Sequence, residues 1–224
     1  MSKRIQYTAK DGSKLEAEVG EPSGSGKAPA VVIVQEWFGI SDHIKWLVDE
    51  LASHGFLAIA PDLYHGRLAK NDGEAGKMMG ELDKKRAVKE IGDAVTYATT
   101  LARFGGKVGI TGFCLGGALT FAAGADDRVS ALAPFYGLPP VAPDWSKVRA
   151  PIQAHFSKTD QWATVAGAEE IKRAVDAAGK TTMELHVYDA GHAFMRKGDP
   201  AKYDEAASKL AWQRVLAFLH THLG

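Results

Sequence analysis

The stretch Val108-Gly109-Ile110-Thr111-Gly112-Phe113-Cys114-Leu115-Gly116-Gly117 decides the fold. Its opening is an apolar run of the kind that makes a buried strand, and the glycines after it predict a sharp passage into a helix. Cys114, the only cysteine in the chain, stands midway between Gly112 and Gly116. A nucleophile flanked in this way, where a strand gives way to a helix, is the nucleophile-elbow pattern with a thiol in the usual place of serine. Both glycines serve the turn, because side chains there would collide with the folded-back backbone. A lone cysteine is otherwise a small buried hydrophobe; the spacing around this one points to catalysis.

Outward from the elbow the pattern alternates between strand and helix. Two short strands, Arg4 to Thr8 and Leu15 to Val19, flank the turn residues Asp11-Gly12, and their polar–apolar alternation predicts an antiparallel pair. After the Pro/Ser/Gly-rich stretch Glu21 to Lys27, Val31-Val32-Ile33-Val34 reads as a strand buried on both faces. Ile44, Leu47, Val48 and Leu51 have helical spacing, with Ser41 or Asp42 as cap and Gly55 as stop. A strand at Phe56 to Ala60 follows, then a long helix on Ala87, Ile91, Ala94, Val95 and Ala98 that Gly105-Gly106 is expected to stop. Beyond the elbow helix come strands at Val129 to Tyr136, Ile152 to Phe156 and Met183 to Tyr188. Between the last two lies a helix on Ile171, Ala174, Val175 and Ala178, and a final helix carries Trp212, Leu216, Leu219 and Leu223. This is an α/β chain with a mainly parallel central sheet, helices on both faces and an antiparallel start. The segment His65 to Leu82 is the least regular and reads as a flexible cap over the strand ends. No internal repeat or long linker divides residues 1–224, which predicts one domain.

Composition narrows the function classes. The 27 Lys and Arg residues balance 27 Asp and Glu, so no bulk positive field exists to hold nucleic acid or an anionic membrane. One cysteine cannot form an internal disulfide or a cysteine zinc site, which fits a reducing compartment. Met1-Ser2-Lys3-Arg4-Ile5-Gln6-Tyr7 turns polar at once, and the early apolar run Ala28 to Val34 is far too short to span a bilayer. A cytoplasmic enzyme acting on a small molecule, with no metal or organic cofactor, is the expectation.

A thiol nucleophile needs a base, and the base needs a third group to hold its tautomer. In sheets of this kind the partners follow in the order nucleophile, acid, histidine, each on a loop after a strand. Asp160 follows the strand ending near Phe156, and His192 follows the strand ending near Tyr188. Of the eight histidines, His43, His220 and His222 are placed on helix surfaces, His155 and His186 inside strands, and His54 and His65 ahead of the elbow. That leaves His192 as base and Asp160 as acid, although Asp160 or Thr164 also suits a helix cap.

Ester attack puts negative charge on the carbonyl oxygen, which backbone N–H groups hold well. Leu115 N–H, next after the nucleophile, is one expected donor, and Trp37 N–H, in Gln35-Glu36-Trp37-Phe38-Gly39 after the Val31 to Val34 strand, is the other. Glu36 is an unusual neighbour. A carboxylate there is poorly solvated, so its pKa should rise, and it is placed to hold or remove the Cys114 proton; the plainer alternative is a structural acid bound to a backbone group or an arginine.

Taken together, Gln35 to Gly39, Pro61-Asp62-Leu63-Tyr64, the Gly-Phe-Cys-Leu-Gly-Gly core, Phe135-Tyr136-Gly137, the Asp160 loop and Ala190-Gly191-His192-Ala193-Phe194 resemble the dienelactone hydrolases of the α/β-hydrolase fold (carboxymethylenebutenolidase-like). The resemblance covers nearly the whole chain. It implies a Cys-His-Asp triad, a glutamate that interacts with the thiol, and hydrolysis of an enol-lactone to maleylacetate. Phe38, Tyr64 and Tyr136 fall in the shared motifs and are assigned to substrate binding with them. Members of the family hold the substrate carboxylate with arginines, one of which matches Arg196. The other lies before the long helix, where Ala69 to Leu82 here has Lys70 and Lys77 but no arginine. Arg67 or Lys70 is the expected substitute, although lysine lacks the planar fork that grips a carboxylate at two points.

The leading expectation is therefore a thiol hydrolase of lactones, and the runner-up is a broad small-ester carboxylesterase of the same family. A ligand-binding or redox-sensing protein, with Cys114 oxidised or alkylated as the signal, is the alternative from a different class.

Overall fold

The computed structural model describes residues 1–224. Eight strands form one sheet: β1 (Lys3–Thr8), β2 (Lys14–Gly20), β3 (Ala28–Val34), β4 (Leu57–Pro61), β5 (Phe104–Phe113), β6 (Val129–Phe135), β7 (Ile152–Ser157) and β8 (Met183–Tyr188). Their order across the sheet is β1-β2-β4-β3-β5-β6-β7-β8. β1 pairs antiparallel with β2, and β2 with β4; the other pairs are parallel. This is the arrangement that the alternating pattern predicts. β3 and β4 are buried along almost their whole length, because crossover helices cover both faces of a parallel sheet.

Six helices connect the strands: α1 (Asp42–Ser53), α2 (Asp72–Glu81), α3 (Lys84–Thr100), α4 (Leu115–Ala123), α5 (Val165–Ala178) and α6 (Glu205–Leu223). α1 packs on β2, β3 and β4, and α6 on β5, β6 and β7; Trp46 of α1 and Trp212 of α6 are neighbours. α3, α4 and α5 pack against the sheet and, in the case of α3 and α4, against each other. A single hydrophobic cluster of 66 buried residues runs through these layers. No helix is long and apolar enough to cross a membrane.

Three local expectations are corrected. The irregular segment before the long helix contains α2, which Asn71 caps by accepting the Glu74 N–H at 3.0 Å. Only Ala75 and Met78 of α2 are buried, so it lacks the wide apolar stripe that makes a helix legible in sequence. Secondly, Gly105-Gly106 does not stop α3, which ends at Thr100 with Leu101 as its C-cap. The two glycines lie inside β5, where the register with β3 shifts between Ala28 and Ala30. A Cβ at Gly105 would come within 2.5 Å of the Lys27 side chain, so the glycine serves a bulged strand contact. Thirdly, His43 is on α1 but is buried, stacked against Trp46 and edge-on to Phe113. Burial, aided by the charge of Arg196, lowers its pKa to about 4 and keeps the ring neutral.

Candidate active site

The parallel strands deliver their carboxyl ends to one edge of the sheet, and the elbow forms there. Cys114, between β5 and α4, has φ 55° and ψ −114°, a backbone conformation that non-glycine residues rarely adopt. The bend brings backbone segments so close that a Cβ at Gly112 would sit 2.3 Å from Gly116 O, and one at Gly116 would sit 2.2 Å from Val34 O. Cys114 N–H donates to Phe135 O at 3.1 Å, and Cys114 O accepts from Ala118 N–H at 3.1 Å, so the strained residue is pinned from both sides. The thiol remains part-exposed.

His192, on the loop after β8, spans the gap between two distant chain segments. Its Nε2 is 3.2 Å from Cys114 Sγ, and its Nδ1 is 2.6 Å from Asp160 Oδ2. Asp160 also accepts the Trp162 and Ala163 N–H groups at 2.8 and 2.9 Å. Against burial, the hydrogen bond from His192 and these two N–H groups hold its carboxyl below the usual range. Burial pulls the His192 pKa down, but the contacts with Asp160 and Cys114 outweigh it and push the imidazole up to about 9. Asp160 is thus a histidine partner, while Thr164 caps α5 by accepting the Gly167 N–H.

Glu36 follows β3 and is buried, with neither carboxylate oxygen in a hydrogen bond. Burial drives its pKa up, against the opposing pull of Arg196 and His192. Its charged neighbour is Arg196, whose Nε lies 3.9 Å from Oε2, and the hydrogen-bonding partner of the Cys114 sulfur is His192. Tyr136, at a strained φ of 32°, is fully buried beside this group. Burial and the charges of Glu36 and Cys114 raise its phenol well above the ordinary value.

A cavity of about 380 Å³ opens on Cys114, His192, Glu36 and Tyr136. Trp37 and Leu115 line it; Leu115 opens α4, so its N–H is one of the first-turn donors that have no intrahelical acceptor. No group of three or more His, Cys, Asp or Glu side chains gathers in a way that could hold a metal ion.

The expected substrate-binding residues divide. Arg196 and Tyr136 line the cavity, whereas Phe38 lies behind, under the Arg196 guanidinium at 4.0 Å. Tyr64 is buried outside the lining, its phenol raised to about 12 by burial and by the charge of Cys114. Arg67 does not reach the cavity: it pairs with Glu81 of α2 at 3.0 Å. Lys70 is exposed just before α2 and does not line the cavity. The cavity instead receives Lys84, Lys202, Trp162 and Met79, none of which the sequence reading assigned a role. Trp162, a large aromatic two residues after Asp160, carried a usable signal; the two lysines, in solvent-facing polar stretches, carried none.

The dienelactone hydrolase family profile matches residues 15–223. The chain belongs to that family. Carboxymethylenebutenolidase 1 of Cupriavidus pinatubonensis (strain JMP 134 / LMG 1197) is 29% identical over 98% of this chain and 97% of its own length. Protein usf of Aquifex pyrophilus is 32% identical, with both chains fully covered. The crystal structure of dienelactone hydrolase from Anabaena variabilis ATCC 29413 superposes with a TM-score of 0.75, covering 100% of this chain and 99% of that one. At 20% identity it shows a shared fold alone. As a member of the dienelactone hydrolase family, the protein is a hydrolase with an α/β-hydrolase fold.

Proposed function

We propose that the protein hydrolyses lactones and small activated esters through a covalent thioester on Cys114. Cys114 Sγ attacks the carbonyl carbon while its proton is held on His192 Nε2, and Asp160 keeps the Nδ1 proton in place and stabilises the imidazolium. The Leu115 and Trp37 N–H groups hold the oxyanion. Collapse of the tetrahedral intermediate breaks the carbon–oxygen bond, and the His192 proton passes to the leaving alkoxide or enolate. Water then gives a proton to His192 and adds to the thioester; expulsion of sulfur releases the acid and restores the starting pair.

The observation that carries this reading is the pair of contacts made by His192, 3.2 Å to the sulfur and 2.6 Å to the carboxylate. Glu36, buried beside the cavity, helps to take up the Cys114 proton. The favoured substrate is dienelactone, opened to maleylacetate. The cavity is mainly apolar, with Leu115, Ala118, Leu138 and Trp162 in its wall, and this supports neutral ester hydrolysis as a second activity.

The test is direct. Wild type and Cys114→Ala are assayed on cis- and trans-dienelactone beside p-nitrophenyl esters, with mass spectrometry for the acyl-enzyme. Cys114→Ala is expected to lose at least about a thousandfold in kcat; an undiminished rate would end the thiol mechanism.

A further inference from the structure

We propose that Thr159 is a positioning residue: its side-chain hydroxyl and its backbone N–H together grip Ala190 O and hold the His192 loop at the distance from Asp160 that proton handling requires. This role rests on the hydrolase reading above and adds a residue to the same site.

His192 has to meet a sulfur at 3.2 Å and a carboxylate at 2.6 Å at the same time, and both loops concerned lie beyond the ends of their strands. The ladder between β7 and β8 closes with Ser157 opposite Tyr188. Asp160 is fixed within its own loop, where Oδ1 accepts the Trp162 and Ala163 N–H groups and Oδ2 is left for His192. What remains to be set is the place of one loop against the other. Ala193, with φ 61°, puts a strained residue directly after His192, and such a conformation lasts only where its neighbours hold it.

Thr159 supplies the hold. Lys158 N–H continues from the ladder by donating to Tyr188 O at 2.8 Å, and then Thr159 N–H and Thr159 Oγ1 both donate to Ala190 O, at 3.2 and 2.8 Å. Ala190 N–H turns back onto Tyr188 O at 2.9 Å. The residue just before the acid is thus bonded through backbone and side chain to the loop that carries the histidine. Apart from the Asp160–His192 contact itself, no other side-chain hydrogen bond joins the two loops. Thr159 is exposed, so its hydroxyl can be removed without opening a hole in the core.

The same pair of strands carries a control. At their opposite end, just before β7 and β8 begin, Thr181 Oγ1 donates to Ala150 O, also at 2.8 Å. The two bonds share their chemistry and length, but only one lies at the site.

The experiment uses Thr159→Val and Thr181→Val, which keep the side-chain shape and each remove one hydroxyl, beside wild type and Thr159→Ser. Urea unfolding, steady-state assay on p-nitrophenyl acetate and proton NMR of the downfield His192 Nδ1–H resonance are read on all four. Thr159→Val is expected to lower kcat about fivefold to tenfold, with KM held within about twofold, and to speed exchange of the Nδ1 proton with water by a similar factor. Thr159→Ser should bring kcat and exchange back to within about twofold of wild type. Thr181→Val should lose as much stability as Thr159→Val yet leave kcat and the Nδ1 resonance unchanged. Wild-type kcat and exchange in Thr159→Val would overturn the proposal, as would an equal loss of kcat in Thr181→Val or no recovery in Thr159→Ser. Should Thr159→Val not fold, Thr159→Ala carries the same expectations. If Cys114→Ala retained full rates, the thiol mechanism would fail while the Nδ1 exchange still decided the role of Thr159.

Discussion

Arg196 lies 3.9 Å from a Glu36 carboxylate that accepts no hydrogen bond, and together with His192 it supplies the positive charge that opposes the burial of this acid. Removing one member of a buried charge pair leaves the other unpaired, which costs more than removing both. Arg196→Met is therefore expected to destabilise the protein by about 2 kcal/mol, and Arg196→Met with Glu36→Gln to recover about half of it. Urea unfolding of the two single variants and the double variant at pH 8 measures the coupling; additive losses would show that the side chains do not interact.

Asp160 offers a separate test, because asparagine keeps an Oδ1 that accepts the Trp162 and Ala163 N–H groups. In Asp160→Asn the amide no longer stabilises the imidazolium and favours the wrong tautomer. The expected fall in kcat is on the order of a hundredfold to ten-thousandfold, with a much smaller change in KM. Steady-state assays on a p-nitrophenyl ester read it, and a loss below tenfold would remove Asp160 from the proton-handling chain.

The pH dependence of stability follows from His192. Its folded pKa of about 9 stands above the ordinary 6.5, so between these values the folded state binds a proton that the unfolded state does not. The contribution is fully present below pH 6.5 and is lost as pH rises through about 9. A shift of this size corresponds to roughly 3 kcal/mol. Urea midpoints should therefore fall between pH 7 and pH 9.5 in the wild type, and His192→Gln should flatten that fall. Equal slopes in both proteins would contradict the assignment.

Backbone crowding at the elbow gives a steric prediction with an internal control. Gly116→Ala places a methyl carbon 2.2 Å from Val34 O and should cost more than about 3 kcal/mol or prevent folding. Gly191→Ala, beside His192, meets nothing nearer than Thr159 Oγ1 at 3.8 Å and should fold within about 1 kcal/mol of wild type. Thermal unfolding of the two variants separates crowding from simple proximity to the site.

The division between what was legible and what was not follows particular residues. The run Val31 to Val34, the helical spacing of Ile44 to Leu51 and the Gly-x-Cys-x-Gly turn are local patterns. Each is set by the period of its element or by contacts within a few residues, and each corresponds to an element of the structure. α2 escaped because only two of its residues are buried, and Gly105-Gly106 misled because a glycine pair that stops a helix looks the same as one that lets strands bulge together.

The amino-acid sequence by itself determined the order of strands and helices, the position of the elbow, and the succession Cys114, Asp160, His192 along the chain, since periodicity and steric exclusion act over short distances. Only the tertiary structure decided which charges face the cavity: that Arg67 turns to Glu81, that Arg196 is enclosed by Glu36 and Asp199, and that Lys202 lies over Trp162. Long charged side chains carry no periodic signal. Their partners are chosen by the packing of elements far apart in the chain, and the field at the site exists only once those elements have met.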